Sequence, residues 1–238
     1  MSQEHYFSAT PTVELTKHVR TLNIRGTEHQ VTTASGVFSG GRVDLGTQVL
    51  LSHVPDPQAG LALDMGCGWG PITLALCDAL KGTDSEVLAV DVNTRALELS
   101  GQNAKAAGYS VATFTPEQLE KYLLDNNLKL RTIWSNPPVR IGKQALHELL
   151  LKWLAFLADD GAAWLVVQRN LGADSLAKWL SAQGWQVEKT ASSKGFRVFK
   201  VTHYSPLVLE PLLEQHGLGH HVGPHTDKGA LASKGVAV

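Results

Sequence analysis

Apolar and polar positions along the chain follow two rhythms. Short runs rich in apolar residues, Leu61 to Asp64, Val87 to Asp91, Thr132 to Ser135 and Ala163 to Gln168, read as strands buried on both faces. Between them lie segments of helical period. Pro71 stands at a first-turn position, where its missing N–H has no partner to lose, ahead of Ile72, Leu74, Ala75 and Leu76. Thr94 is the expected N-cap of a helix running through Ala107, and Gly108 supplies the permissive backbone that ends it. Gly184 does the same for a helix from Asp174. Strands alternating with helices imply parallel pairing through right-handed crossovers, hence a three-layer α/β fold that binds ligands at the carboxyl ends of its strands.

The rhythm changes at both ends of this region. Trp185 to Ala191 and Gly195 to Val201 are separated only by Ser192, Ser193 and Lys194, a spacing that permits nothing but antiparallel pairing. The expected sheet is therefore mostly parallel with a C-terminal antiparallel hairpin. Upstream, Val19 to Ile24 and Gln30 to Thr33 flank Arg25-Gly26-Thr27, which predicts an N-terminal β-hairpin, and the glycine-rich stretch Gly36 to Gln48 leads into a short helix. Residues 203–238 carry four histidines between His216 and His225 among scattered glycines, with no periodicity; the expectation is a flexible, loosely attached tail.

Composition narrows the classes. With 43% hydrophobic and 18% charged residues the chain can bury a sizeable core, which excludes wholesale disorder. No apolar run approaches the roughly 20 residues that span a bilayer, and the N-terminus MSQEHYFSATP lacks a basic flank and an apolar segment, so neither a membrane partner nor export is expected. Cys67 and Cys77 cannot build a disulfide framework and show no metal-ligand spacing, which fits a reducing cytoplasm and no metal. Lys plus Arg number 21 against 22 acids, a net charge of -1, which argues against indiscriminate nucleic-acid binding. Local basic patches remain open, with Lys129, Arg131, Arg140 and Lys143, then Lys189, Lys194, Arg197 and Lys200, as candidates. Nothing in the pattern sets an oligomeric state.

Three segments carry the chemistry. Leu63-Asp64-Met65-Gly66-Cys67-Gly68-Trp69-Gly70-Pro71 places alternate glycines between the first strand of the α/β region and its helix, where side-chain-free backbone can turn sharply and let a ligand press on main-chain atoms. The spacing is shorter than the Gly-x-Gly-x-x-Gly of nicotinamide dinucleotide proteins and argues against hydride transfer. Val87 to Asn93 ends its apolar run in Asp91, which can accept both hydroxyls of a ribose; a helix-capping role is the alternative, and the glycine loop upstream favours the ribose. Ile133-Trp134-Ser135-Asn136-Pro137-Pro138 clusters acceptors suited to a planar amine, namely the Asn136 side-chain carbonyl and the proline carbonyls, although Asn-Pro-Pro also occurs as a plain loop breaker.

Together these segments resemble class I S-adenosylmethionine-dependent methyltransferases. In order and spacing, His5 to Ser8, Gly36 to Ser39, Gly41 to Thr47, Asp64 to Gly70, Val90 to Asn93, Ser135 to Pro138, Gly142 to Leu150 and Lys194 to Val198 look like the catalytic domain of bacterial small-subunit ribosomal RNA guanine-N2 methyltransferases. The resemblance implies a Rossmann-like sheet, S-adenosyl-L-methionine as cofactor, and ribosomal RNA or the small ribosomal subunit as partner. It divides the chain into residues 1–59, a hairpin and a loop covering the cofactor; residues 60–202, the methyltransferase core; and the tail, residues 203–238. Asp64, Gly66, Cys67, Gly68 and Gly70 would surround the methionine part of the cofactor, Asp91 its ribose, and Val92 and Asn93 its adenine. Phe38 and Asp44 to Thr47 would close one wall, and Asn136, Pro137 and Pro138 would receive the target amine beside Val139 and Arg140. The reaction implied is direct in-line methyl transfer without metal or covalent enzyme intermediate.

Adenine N6 and the glutamine side-chain amide are alternative acceptors of the same planar kind. The enzymes that use them usually carry an aromatic residue after Asn-Pro-Pro, where this chain has Val139. A noncatalytic RNA-binding module retaining the fold is a further alternative, against which stands the combination of Asp64, Gly66, Gly68, Asp91 and Asn136. Cys67 lies in the glycine loop and not beside Asn136, so it is not expected to act as a nucleophile. His147 reads as an ordinary helix residue, and Trp134 and Trp164 as core.

Overall fold

A computed structural model describes Glu14 and residues 16–39 and 42–204. His5 to Ser8, Gly41 and the histidines from His216 to His225 lie outside the described residues. All described residues except Tyr204 belong to one unit, residues 1–203.

The N-terminal hairpin pairs β1 (Lys17–Ile24) with β2 (Thr27–Ala34) antiparallel. Its turn uses Arg25 at φ 51° and Gly26 at φ 93°, a left-handed pair whose twist suits the flanking strands. A short helix, α1 (Leu45–His53), follows, capped by Asp44. The α/β body then runs β3 (Leu61–Met65), α2 (Pro71–Leu80), β4 (Glu86–Val90), α3 (Thr94–Ala106), β5 (Ala112–Phe114), α4 (Pro116–Asp125), β6 (Leu130–Ser135), α5 (Lys143–Leu154), β7 (Leu157–Gln168), α6 (Ala173–Ala182), β8 (Gln186–Ser193) and β9 (Phe196–Thr202). Strand order in the seven-stranded sheet is β5-β4-β3-β6-β7-β9-β8. Every pair from β5 to β7 is parallel, and β9 is antiparallel to both β7 and β8, as the short connection through Lys194 (φ 48°) and Gly195 (φ 82°) dictates.

Alternation along the strands sorts the core into two faces. Ala62, Val87, Trp134, Val166 and Val198 pack with α1, α2 and α3 on one side. Leu63, Leu88, Ile133, Leu165 and Phe199 pack with α4, α5 and α6 on the other. Trp134 is fully buried, whereas Trp164 is half-buried with the Lys200 ammonium 5.8 Å above its ring. Asn103 ties the hairpin to the body like an extra rung of sheet: its Oδ1 accepts the Thr32 N–H at 2.7 Å, and its Nδ2 donates to Thr32 O at 2.9 Å and Trp69 O at 2.8 Å.

Several boundaries differ from the sequence expectation: β2 starts at Thr27 and not Gln30, α1 already at Leu45, and β8 runs on to Ser193. Asn93, not Thr94, caps α3, its Oδ1 accepting the N–H groups of Arg95 and Ala96 at 3.0 and 3.3 Å. β7 begins six residues earlier than Ala163, with Asp159-Asp160-Gly161 in a bulge where pairing to β6 shifts between Leu130 and Thr132. Gly161 is required there by space: a Cβ would stand 2.8 Å from Leu130 O.

Candidate functional site

The switch point of the sheet lies between β3 and β6, whose connections leave in opposite directions along the strand order. Met65 is paired with Ser135, and Ser135 Oγ donates to Met65 O at 2.6 Å, so the glycine loop after β3 and Asn136 after β6 emerge side by side.

The three loop glycines have different physical reasons. Gly66 (φ 81°) and Gly68 (φ 55°) have nothing within 4 Å of where a Cβ would stand, and both line a cavity of about 320 Å³. Gly70 (φ 98°) faces α3 instead, where a Cβ would lie 2.8 Å from Ser100 Oγ and 3.1 Å from Ser100 Cα. The loop is tied to β4 by the Gly66 and Cys67 N–H groups, which donate to Val90 O at 2.9 and 3.1 Å. Asp91 completes the link: Oδ2 accepts the Gly68 N–H at 3.0 Å and Oδ1 the Asn93 N–H at 2.9 Å. Burial pushes the Asp91 carboxyl above its ordinary range, against the lowering effect of these backbone bonds.

On the facing wall, Asn136 is gripped through its amide nitrogen. Nδ2 donates to Asp44 Oδ2 at 2.9 Å and to Thr47 Oγ1 at 3.2 Å. A carboxylate only accepts, so the nitrogen must face Asp44, and Oδ1 is left as the outward acceptor. The Pro137 carbonyl accepts the Val139 N–H at 2.8 Å, which leaves one of its two lone pairs, and the Pro138 carbonyl accepts the Ile141 N–H at 3.1 Å. Asn136, Pro137, Pro138, Val139 and Arg140 all line the same cavity as Asp91, Val92, Asn93 and Phe38. Val92 and Phe38 present apolar surface there, 40% and 46% exposed.

Four residues assigned to the cofactor from sequence stand back from the large cavity. Asp64 is fully buried; Oδ2 accepts the Thr73 hydroxyl at 2.6 Å, Oδ1 has no partner among the described residues, and burial pushes its carboxyl up to about 7. Gly70 is a packing residue. Thr47 and Cys67 line a small adjoining pocket of about 30 Å³ that shares Gly66, Gly68 and Asn136 with the large one. The Cys67 thiol packs with Ala89 and Leu97, and burial, with Asp91 and Asp64 nearby, pushes its pKa well above the ordinary range, which keeps it an unreactive neutral thiol.

Sequence reasoning missed the far wall of the large cavity. Gln168 at the end of β7, Leu171 just after it, Trp153 of α5, Pro116 at the start of α4 and Phe196 of β9 all line it. Gln168 could have been found, since it ends a parallel strand on the carboxyl edge; Phe196 could not, because its hairpin enters antiparallel. Of the basic candidates, Arg131 pairs with Asp160, Arg197 with Asp174 at 3.1 Å, and Lys129 donates to Ala155 O at 3.0 Å, so these serve local structure; Arg140 is at the cavity. His147 stacks on Trp179 with ring centroids 3.4 Å apart, away from the site. Among the described residues no group of His, Cys, Asp and Glu could hold a metal ion.

The cavity suits a cationic nucleoside. Asp91 and Asp44 are carboxylates on its wall, each Asp91 oxygen keeps acceptor capacity for a diol, and the bare backbone of Gly66 and Gly68 admits close approach. Known proteins resemble the chain in sequence and in fold. Residues 28–200 match the methyltransferase small domain family. Among curated proteins, "Uncharacterized protein YbxB" of Bacillus subtilis is 34% identical over 198 residues, 83% of this chain and 97% of that one. Ribosomal RNA small subunit methyltransferase C of Shewanella loihica is 29% identical over 199 residues, 81% of this chain and 55% of that one. Among solved structures, the T. thermophilus 16S rRNA N2 methyltransferase RsmC, in complex with AdoMet and guanosine, shares the fold with a TM-score of 0.62 at 21% identity, covering 82% of this chain and 52% of that one. The chain thus spans about half the length of both methyltransferases.

Proposed function

The chain belongs to the methyltransferase small domain family, and from that membership we propose that it methylates an exocyclic amine in RNA, with guanine N2 of small-subunit ribosomal RNA as the acceptor. The observation that carries this reading is the Asn136 amide: both of its N–H groups are engaged by Asp44 and Thr47, so a carbonyl acceptor faces the cavity that also contains Asp91 and the glycine loop.

S-adenosylmethionine fits the site as its cofactor: Asp91 would hold the ribose hydroxyls, Val92 and Phe38 would lie against the adenine, and Gly66 and Gly68 along the methionine part. When bound it would supply a methyl group on a sulfonium: the C–N bond would form as the S–C bond breaks, the sulfur leaving as a neutral thioether and the nitrogen's surplus proton passing to water. The protein's own share is positioning and electrostatics. Asn136 Oδ1 and the free lone pair on the Pro137 carbonyl accept the two amine hydrogens, which favours a tetrahedral, partly cationic nitrogen over the planar ground state. Burial of the Asp64 carboxyl and the Cys67 thiol removes competing nucleophiles. A paired base would have to leave its duplex to reach this depth.

The relatives' names point to small-subunit ribosomal RNA as the substrate class, and Val139 favours guanine over adenine, since it offers no aromatic face where amino-methyltransferases of adenine usually carry one. Such a substrate implies action in the cytoplasm; among the described residues no helix is long and apolar enough to cross a membrane. The test is incubation of the full chain with labelled cofactor and either deproteinised RNA or small subunits from a strain lacking the enzyme, followed by mapping of the methylated base. Label on guanine N2, reduced about a hundredfold in Asn136→Ala with cofactor binding retained, is the expected result. Label on another atom, or full activity in Asn136→Ala, refutes the assignment.

A further inference from the structure

We propose that Asp44 is a positioning residue for the transfer: it fixes and polarises the Asn136 amide from the N-terminus of α1. This inference rests on the role given to Asn136 above. The terminal torsion of an asparagine is broad and nearly two-fold, so the side chain has no intrinsic preference for showing its oxygen or its nitrogen to the cavity. A flipped amide would present donors to an amine that itself donates. Something outside the residue must decide, and Asp44 Oδ2, 2.9 Å from Nδ2, decides it because a carboxylate can only accept.

Three observations separate this from ordinary helix capping. The same Oδ2 that accepts the Gly46 N–H at 2.8 Å also accepts from Asn136, 92 positions away, so the cap is shared with the site. Thr47 adds a second acceptor 3.2 Å from the same nitrogen. Gly46 is not in a left-handed conformation, yet a Cβ there would lie 3.1 Å from Asn136 Nδ2, 3.0 Å from Asp44 Oδ2 and 2.9 Å from the Phe196 ring. The first turn of α1 therefore approaches the amide so closely that only glycine fits.

Donation from Nδ2 to an anion draws electron density toward Oδ1, since the two ends of an amide are conjugated, and makes that oxygen a stronger acceptor. The gain is largest when the amine becomes cationic, which is the moment of methyl transfer.

Two substitutions separate the roles. Asp44→Ser keeps an N-cap but is too short to reach Asn136; Asp44→Asn keeps the cap and a neutral acceptor of the same length. Single-turnover methylation of deproteinised small-subunit RNA at saturating cofactor is measured for each, alone and combined with Asn136→Ala, together with cofactor affinity by calorimetry, melting temperature, and hydrogen exchange of the Asn136 side-chain amide. Expected at saturating cofactor are a slowing of about tenfold or more in Asp44→Ser, partial rescue in Asp44→Asn, faster exchange of the Nδ2 hydrogens in Asp44→Ser, and no further slowing by Asp44→Ser when Asn136 is already alanine. A wild-type rate in Asp44→Ser, or an equal slowing in the Asn136→Ala background, overturns the inference while leaving the functional reading intact. A wild-type rate in Asn136→Ala itself removes both.

Discussion

Asp91 Oδ2 lies 3.0 Å from the Gly68 amide nitrogen, so the residue after β4 holds the loop after β3 in shape as well as lining the cavity. Its other oxygen accepts the Asn93 N–H at 2.9 Å. Removal of the carboxylate leaves both amides without their acceptor and takes the diol acceptors from the wall. For Asp91→Ala the expected loss in S-adenosylmethionine affinity is about 2–3 kcal/mol, the scale of a charged hydrogen bond and its orphaned donors, read by titration calorimetry. An affinity equal to wild type would mean that the ribose is held elsewhere.

Gly68 and Gly70 separate ligand from fold. Gly70→Ala drives a Cβ into the Ser100 backbone at a left-handed φ, which is expected to lower stability by about 1–3 kcal/mol through strain and displacement of α3. Gly68→Ala meets no atom within 4 Å, so its Cβ enters the open cavity; the milder left-handed strain, about 1 kcal/mol, is accompanied by weaker cofactor binding. Paired melting and binding curves check this, and equal effects of the two substitutions on binding would contradict the distinction.

The spacing Gly-x-Gly-x-Gly could not reveal that difference, because both roles ask for the same residue. What the sequence does disclose is whatever depends on neighbours along the chain: buried strands, the two tight turns at Gly26 and Gly195, and the strand-end positions of Asp91 and Asn136. What it hides depends on distant contacts. Thr47 reads as a cofactor residue but its hydroxyl holds Asn136, Asn93 uses its side chain to cap α3 and to bond Gly36 O at 2.9 Å, and Phe196 reaches the cavity only because β9 inserts between β7 and β8. Local pattern shows which strand end a residue occupies; only packing shows which way its polar atoms are turned.

Asp78 fastens the N-terminal hairpin to the body. Its Oδ2 is 2.8 Å from His29 Nε2 of β2, and its Oδ1 accepts the Tyr109 hydroxyl at 2.6 Å. Burial, then the bond to Asp78 and its charge, push the Tyr109 phenol up to about 12. Asp78→Ala leaves two polar groups without a partner. The expected cost is about 1–3 kcal/mol, with faster hydrogen exchange in β2 and a Tyr109 titration shifted down toward the ordinary range. An unshifted phenol would show that the bond to Asp78 does not form in solution.

Asp64 makes stability depend on pH. Its carboxyl titrates near 3.8 when exposed and is pushed up to about 7 in the folded protein, first by burial and then by the charge of Asp91, against the Thr73 hydrogen bonds. The fold therefore favours the protonated acid. That contribution is complete below about pH 4 and is lost as pH rises toward 7, at no more than about 1.4 kcal/mol per pH unit, and it changes little above that. The amide introduced by Asp64→Asn keeps an acceptor for the Thr73 hydroxyl and never ionises, so this variant is expected to gain on wild type between pH 5 and 7 and to hold a constant lead above. Asp91, whose carboxyl is also raised, is present in both proteins and cancels to first order in the difference. Denaturant melts at four pH values between 5 and 8 give that difference directly, and parallel curves across the range would show that Asp64 is already ionised at pH 5.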